Sequence, residues 1–253
     1  MNERSLRTDR AGDEQEMPMS ADPADRPRSA TFPSTERKVV PRKRVRVLVL
    51  SGSLRTESLN TRLARLAART IERNGGSVDV ATLAEFDAPS YSQDAQDSAG
   101  IPDGPAQLRQ RLEAADAFVI AAPEYNASMP GGLKNAIDWV SRYRPQPFHQ
   151  RHGMVMSASP SMSGGNRGLW ALRIPLEHLG ARTYPDMFSL AQAHQAFDES
   201  GQIASSQLAE FFESTITGFM DLAEASKHYP CMKTAWIEYL GERLEPETAR
   251  IDS

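Results

Sequence analysis

Three short segments of the 253-residue chain hold residues whose types and spacing could do chemistry. The first, GSLRTESLN (Gly52 to Asn60), collects Ser53, Arg55, Ser58 and Asn60. These are hydrogen-bond donors plus one fixed cation, and they stand where a hydrophobic run gives way to a helical pattern. A helix that starts there offers free backbone N–H groups and the positive end of its dipole. That set suits a phosphomonoester. The same Ser and Asn side chains can also serve simply as helix caps. The segment is neither GxGxxG nor GxxxxGK[ST], so dinucleotide pyrophosphates and nucleoside triphosphates are disfavoured.

The second segment is PEYNASMPGGLKNAIDW (Pro123 to Trp139). Pro123 and Pro130 stiffen it, and Gly131 and Gly132 permit close backbone approach. Tyr125 and Asn126 offer a flat face and an amide to a planar heterocycle. The third, SASPSMSGGN (Ser157 to Asn166), is small and polar, with Ser157, Ser159 and Gly164 among its residues. Other candidates carry less. His149 and His152 flank a polar dipeptide without a clustered third ligand, and read as surface histidines. Trp139 reads as packing. Lys134 and Asp138, four apart, read as a helix-surface pair.

Alternating elements must position these segments. VRVLVLSGS (Val45 to Ser53) has the near-continuous apolar pattern of a strand buried on both faces. Leu59, Leu63, Leu66, Ala67 and Ile71 follow helical spacing, and Asn74-Gly75-Gly76 ends that helix. Ser77 to Leu83 reads as a second strand, and about Glu85 to Gly104 as a loop containing Tyr91. Gln107 to Ala115 is a short helix, Ala117 to Ala122 a buried strand and Gly132 to Tyr143 a helix. Gly153 to Ser159 is a fourth strand and Gly168 to Leu179 a helix, which Pro175 should kink or shorten. Ala181 to Leu190 holds a weaker fifth strand. Gln207 to Ala225 is an amphipathic helix with Leu208, Phe211, Phe212, Thr215, Phe219 and Leu222 on one side. Strand and helix alternate five times, which predicts a parallel sheet covered on both faces. Ligands of such folds bind beyond the carboxyl ends of the strands, where the three segments lie.

Composition excludes several classes. A single cysteine, Cys231, rules out an intramolecular disulfide and a cysteine-rich metal cluster. A net charge of -4 gives no global attraction for nucleic acid. No run reaches the ~18 apolar residues of a membrane span, and the charged start of the chain has no signal-peptide core. A cytoplasmic location is expected. Residues 1–43, rich in Pro, Ser and charge, are expected to be a disordered tail. Residues 44–226 form the expected domain. Residues 227–253 form an extension with a short helix around Trp236, Ile237 and Leu240.

The GSLR-x-x-S-x-N and PEYN-x-S-x-PGGLKNAIDW motifs, with the Ser/Gly-rich third segment, resemble the NADPH-dependent FMN reductase family. That group includes quinone, azo and chromate reductases. The resemblance covers about Arg44 to Ala225. It implies a flavodoxin-like three-layer α/β/α fold with a five-stranded parallel sheet in the order 2-1-3-4-5. It implies bound FMN, NADPH or NADH as co-substrate, and a homodimer or homotetramer. Two electrons would pass by a ping-pong route to a small acceptor such as a quinone, azo compound, chromate or flavin. The alternative is a flavodoxin-like electron carrier, or a supplier of reduced FMN to a monooxygenase. By resemblance, Ser53, Arg55, Ser58 and Asn60 hold the FMN phosphate. Pro123, Glu124, Tyr125 and Asn126 line the isoalloxazine, largely through backbone groups. The Ser157, Ser159 and Gly164 loop approaches the flavin's other edge. Pro160 departs from the family's third loop, where a Gly near Ser161 is usual.

Overall fold

The computed structural model describes residues 44–240, with side chains to residue 228. The expected tail at 1–43, the residues beyond 240 and the side chains of Cys231, Trp236, Ile237 and Leu240 lie outside that description.

Strand β1 (Arg46–Ser51) is buried along all but its first residue. Its alternation splits the interior in two. Val47 and Val49 face α1 (Leu59–Arg73) and α7 (Ser206–Leu240) on one side of the sheet. Leu48 and Leu50 face α3 (Asp103–Ala114), α4 (Gly131–Val140) and α5 (Asn166–His178) on the other. The remaining strands are β2 (Ser77–Thr82), β3 (Ala117–Ala121), β4 (His152–Ala158), β5 (Arg182–Thr183) and β6 (Phe188–Leu190). All pairings are parallel, and the order is β2-β1-β3-β4-β5. β3 and β4 are buried throughout, as their apolar sequence requires.

The expected fifth strand is two pieces. β5 pairs with the start of β4 and β6 with its end, from Met156↔Phe188 to Ala158↔Leu190. Tyr184 still donates its N–H to the Gly153 carbonyl at 2.7 Å, but Pro185 has no N–H to continue the ladder. In α5, Pro175 removes one helical bond without ending the helix. Its carbonyl accepts the Leu179 N–H at 3.0 Å, and the helix runs through His178.

α2 (Gln93–Ala99) forms inside the segment expected to be a loop. It buries nothing and is held by its ends, with Ser92 as N-cap and Gly100 at φ +78° after it. A short α6 (Ala193–Ala196) follows β6. The buried stripe of α7 is Phe212, Thr215, Ile216, Phe219, Met220 and Ala223, while Leu208, Phe211 and Leu222 point outward. This corrects the expected face by about one position. α7 is unbroken from Ser206 to Leu240, so among the described residues no separate short helix begins after residue 227.

Several motif residues outside the three loops serve the framework. Trp139 is 1% exposed, and its Nε1 donates to the Pro89 carbonyl at 2.8 Å. Asn135 donates to Ala88 and Pro89 and accepts from the Tyr91 N–H, so α4 pins the segment before α2. Lys134 and Asp138 form the expected pair at 2.7 Å. His152 is not a surface residue. It opens β4, and among the described residues neither ring nitrogen finds a partner. Burial, then the charge of Arg182, lowers its pKa.

Candidate functional site

β1 sends its connection to β2 on one side, whereas β3 lies on the other, so the chain reverses direction between β1 and β3. Beyond the carboxyl ends of these strands lies a cleft of about 210 Å³. It is lined by Ser53, Arg55, Ser58, Leu59 and Asn60 from the first loop and Pro123, Glu124 and Tyr125 from the second. Ala158, Ser159 and Pro160 come from the end of β4. Eight of the sequence candidates therefore meet in one place. Asn126, Ser157 and Gly164 do not line it.

The first loop supplies the donors. Ser58 is the N-cap of α1, and its Oγ accepts the Thr61 N–H at 3.2 Å. The Ser53 Oγ accepts the Arg55 N–H at 3.3 Å. Both hydroxyl groups are buried, and each keeps a proton to donate. The Arg55 side chain is exposed and makes no ion pair among the described residues. This floor presents donors and a positive helix end, and the loop's own carboxylate, Glu57, is exposed and does not line the cleft. Asn60 also braces the cleft. Its amide donates to the Ala158 carbonyl and accepts the Ala158 N–H, both at 2.9 Å. It ties the start of α1 to the end of β4 across 98 residues of sequence. Each such bond contributes about 0.5–1.5 kcal/mol net, and more would be lost if its buried partner were left alone.

The second loop turns sharply. Tyr125 and Ser128 exchange backbone hydrogen bonds at 2.9 and 3.0 Å, with Asn126 at φ +51° and Ala127 at φ +61° between them. Two successive positive φ values make a type I′ turn. Ala127 has no side-chain means of offsetting that conformation, so the turn is held from outside. The turn carries Asn126 away from the cleft and leaves Tyr125 half exposed at its rim.

Glu124 supplies an anchor for this loop. Its carboxylate accepts the N–H groups of Arg167 and Gly168 at 3.0 and 3.2 Å, and pairs with the Arg167 guanidinium at 2.7 Å. Burial opposes ionisation of this carboxyl. The hydrogen bonds and charge of Arg167, with the N–H of Gly168, outweigh it and hold the group below its usual pKa. At Gly168 a Cβ would lie 3.0 Å from both the Glu124 Cα and the Ser128 carbonyl. The second loop and the α5 N-terminus are in direct contact there.

The third loop differs most from expectation. The β4 strand ends at Ala158, so two-residue alternation no longer puts Ser157 and Ser159 on one side. Ser157 is fully buried beneath Gly165, its hydroxyl unpartnered among the described residues. Gly164, at φ +62°, backs onto Ser189 and Ala191. Ser159, Ser161 and Ser163 instead join their hydroxyls in a chain, each link 3.0 Å. Sequence reasoning missed Leu59, Ala158 and Pro160 as lining residues. Pro160 had one visible signal, its departure from the family pattern.

The chain is similar to known proteins. A family model described as NADPH-dependent FMN reductase matches residues 45–195. The NAD(P)H-dependent FMN reductase of Pseudomonas aeruginosa is 33% identical over 174 residues, covering 68% of this chain and 91% of that protein. The quinone reductase of Escherichia coli K12 is 31% identical over 188 residues, covering 73% and 98%. Among solved structures, the flavoenzyme NAD(P)H:(acceptor) oxidoreductase FerB from Paracoccus denitrificans superposes with a TM-score of 0.61 at 30% identity, covering 71% of this chain and 97% of its own. The matched span includes β1, β3, β4 and all three loops that meet at the cleft, and the chain belongs to the NADPH-dependent FMN reductase family.

Proposed function

We propose that this chain is an FMN-dependent NAD(P)H oxidoreductase that passes two electrons from a nicotinamide nucleotide to a small organic or inorganic acceptor. One observation carries the reading: a floor of donors at the start of α1 opens between the three family loops. A phosphate dianion needs such a set. Ser53 and Ser58 would donate hydroxyl protons, Arg55 would add charge, and the first N–H groups of α1 would point at the anion. The Pro123 to Tyr125 backbone would face one edge of the flavin, with Ser159 and Pro160 opposite. Bound FMN supplies the redox chemistry; the protein binds and orients it and keeps one side open for donor and acceptor in turn. Family membership and the relatives' activities support the assignment.

The reading extends to assembly and location. The cleft is smaller than the roughly 300–1,000 Å³ of a full ligand pocket. Each of the three loops that border it exposes a large apolar side chain, with Leu54 66%, Tyr125 47% and Met162 76% exposed, and Tyr125 lines the cleft itself. A second copy covering these side chains, in a homodimer or homotetramer, is the arrangement proposed. Among the described residues no helix is long and apolar enough to cross a membrane; a cytoplasmic enzyme of one domain, about residues 44–226, is the accompanying proposal.

The test is direct. The purified protein should be yellow, or become so with added FMN. NADPH or NADH under nitrogen should bleach it without a partner protein, and a quinone should restore the colour. A colourless protein that takes up no FMN would overturn the reading. Bleaching that requires a separate reductase would convert it to that of an electron carrier. Sedimentation as a monomer would remove the proposed cover.

A further inference from the structure

We propose that the Glu124 carboxylate is a positioning group that fixes the second loop on the third by occupying the N-terminus of α5, without itself touching the cofactor. The proposal rests on the functional reading above. Glu124 is in the cleft wall, but its carboxylate points away into α5, where four hydrogen-bonding contacts already meet it. These come from the Arg167 and Gly168 N–H groups, the Arg167 Nε at 2.9 Å and a terminal guanidinium nitrogen at 2.7 Å. Both oxygens are used. Its side chain is 9% exposed, against 66% for Arg167, so the pair sits at the seam with the carboxylate inside.

Three features make the contact a brace rather than a surface ion pair. Gly168 brings the α5 backbone against Glu124 and Ser128, so tightly that a Cβ there would lie 3.0 Å from backbone atoms of both. The next residues of the second loop hold two positive φ values with no glycine, a conformation that the flanking contacts must impose. The N-cap position of α5 is Gly165, which has no side chain to cap its own helix. Glu124 performs that capping from 41 residues upstream in the chain, as a charged group at the positive helix end. The backbone of Pro123 to Tyr125 is thereby set at the cleft while the carboxylate is kept out of it. A negative charge is also kept off a site that must accept a phosphate.

The experiment uses the full-length protein and the variants E124A and E124Q. E124A should bind FMN about tenfold more weakly and lose turnover in proportion, the scale of a lost cap plus an ion pair. Amide hydrogen exchange should accelerate at Arg167 and Gly168. Adding acetate or formate, which can enter the space left by the truncated side chain, should restore FMN affinity and amide protection in E124A. It should do neither in the wild type. E124Q, which keeps one acceptor oxygen, should fall between. Wild-type affinity and protection in E124A would overturn the proposal, as would a loss that neither carboxylate restores. Should E124A fail to fold, unchanged affinity and exchange in E124Q would overturn it equally. If the wild type binds no FMN, the functional reading fails, yet amide protection and its rescue still decide whether the brace exists.

Discussion

Two helices begin at the same edge of the sheet and finish their positive ends in opposite ways. α1 is capped by its own neutral Ser58, and beside it lie the Ser53 hydroxyl and Arg55, which has no ion pair among the described residues. α5 begins at a glycine and is closed by the carboxylate of Glu124, itself matched by Arg167. The two termini offer similar dipoles, so the dipole alone does not decide which one binds an anion. The neighbours decide. One end is left with donors in excess, and the other is neutralised by the protein itself. On the proposed reading the anion goes to α1 rather than α5, in a place set by the strand reversal between β1 and β3.

Substitutions can break this contrast, the largest effect coming at α5. In Gly168→Ala the new methyl meets backbone of the second loop on two sides, and backbone cannot yield as a flexible side chain can. The variant should lose about 1–3 kcal/mol of stability, read as a lower urea midpoint, together with most of its FMN affinity. Unchanged values would mean that α5 and the second loop are not in firm contact. At α1, Ser58→Ala should cost about 1 kcal/mol through the lost cap, and FMN should bind about tenfold more weakly, the worth of a charge-assisted hydrogen bond. A stability loss with normal FMN affinity would reduce Ser58 to a cap and blur the distinction between the two helices.

Arg55→Ala sharpens the same side more gently. With no ion pair to lose among the described residues, the variant's stability should stay within about 0.5 kcal/mol of wild type. FMN affinity should drop severalfold at low salt, and the difference should shrink as salt screens an exposed charge.

The smallest effect distinguishes the loop after β3 from the start of β4 by pH. Glu124 has a folded pKa below its unfolded value, so its contribution to stability is complete above about pH 4.5 and is lost only as pH falls through the lower folded value. His152 at the start of β4 also has a lowered folded pKa. Below the ordinary histidine value of 6.5 the unfolded chain takes up a proton that the folded protein resists, so stability falls as pH drops from that point. A urea midpoint that declines from about pH 7 to about pH 5.5 in the wild type, and less in His152→Gln, would locate acid sensitivity at that end. Equal declines would assign it elsewhere.

The fold was legible where periodicity was strong. The Val45 to Ser53 run, the Leu63, Leu66 and Ile71 stripe and the AFVIAA strand all emerged in their expected roles. α2 was invisible because Gln93 to Ala99 has no apolar face and exists through its caps. The division of the fifth strand depended on Pro185, whose effect shows only once the partner strand is known. At the site, the meeting of Ser53, Arg55 and Ser58 at one cleft was readable because their neighbours in sequence are also their neighbours in space. The hydrogen-bond partners of Glu124 and Asn60 were not, since each lies far along the chain.

The Asn60 bond to Ala158 carries a consequence for how the protein is made. At about 5–20 residues per second, the ribosome delivers Ala158 some 5–20 s after Asn60. Until then α1 can form with its cap, but the amide has no backbone to clasp and the cleft has no third side. A nascent chain therefore waits with a half-built binding site, and cofactor capture belongs to the period after β4 has been laid beside β3.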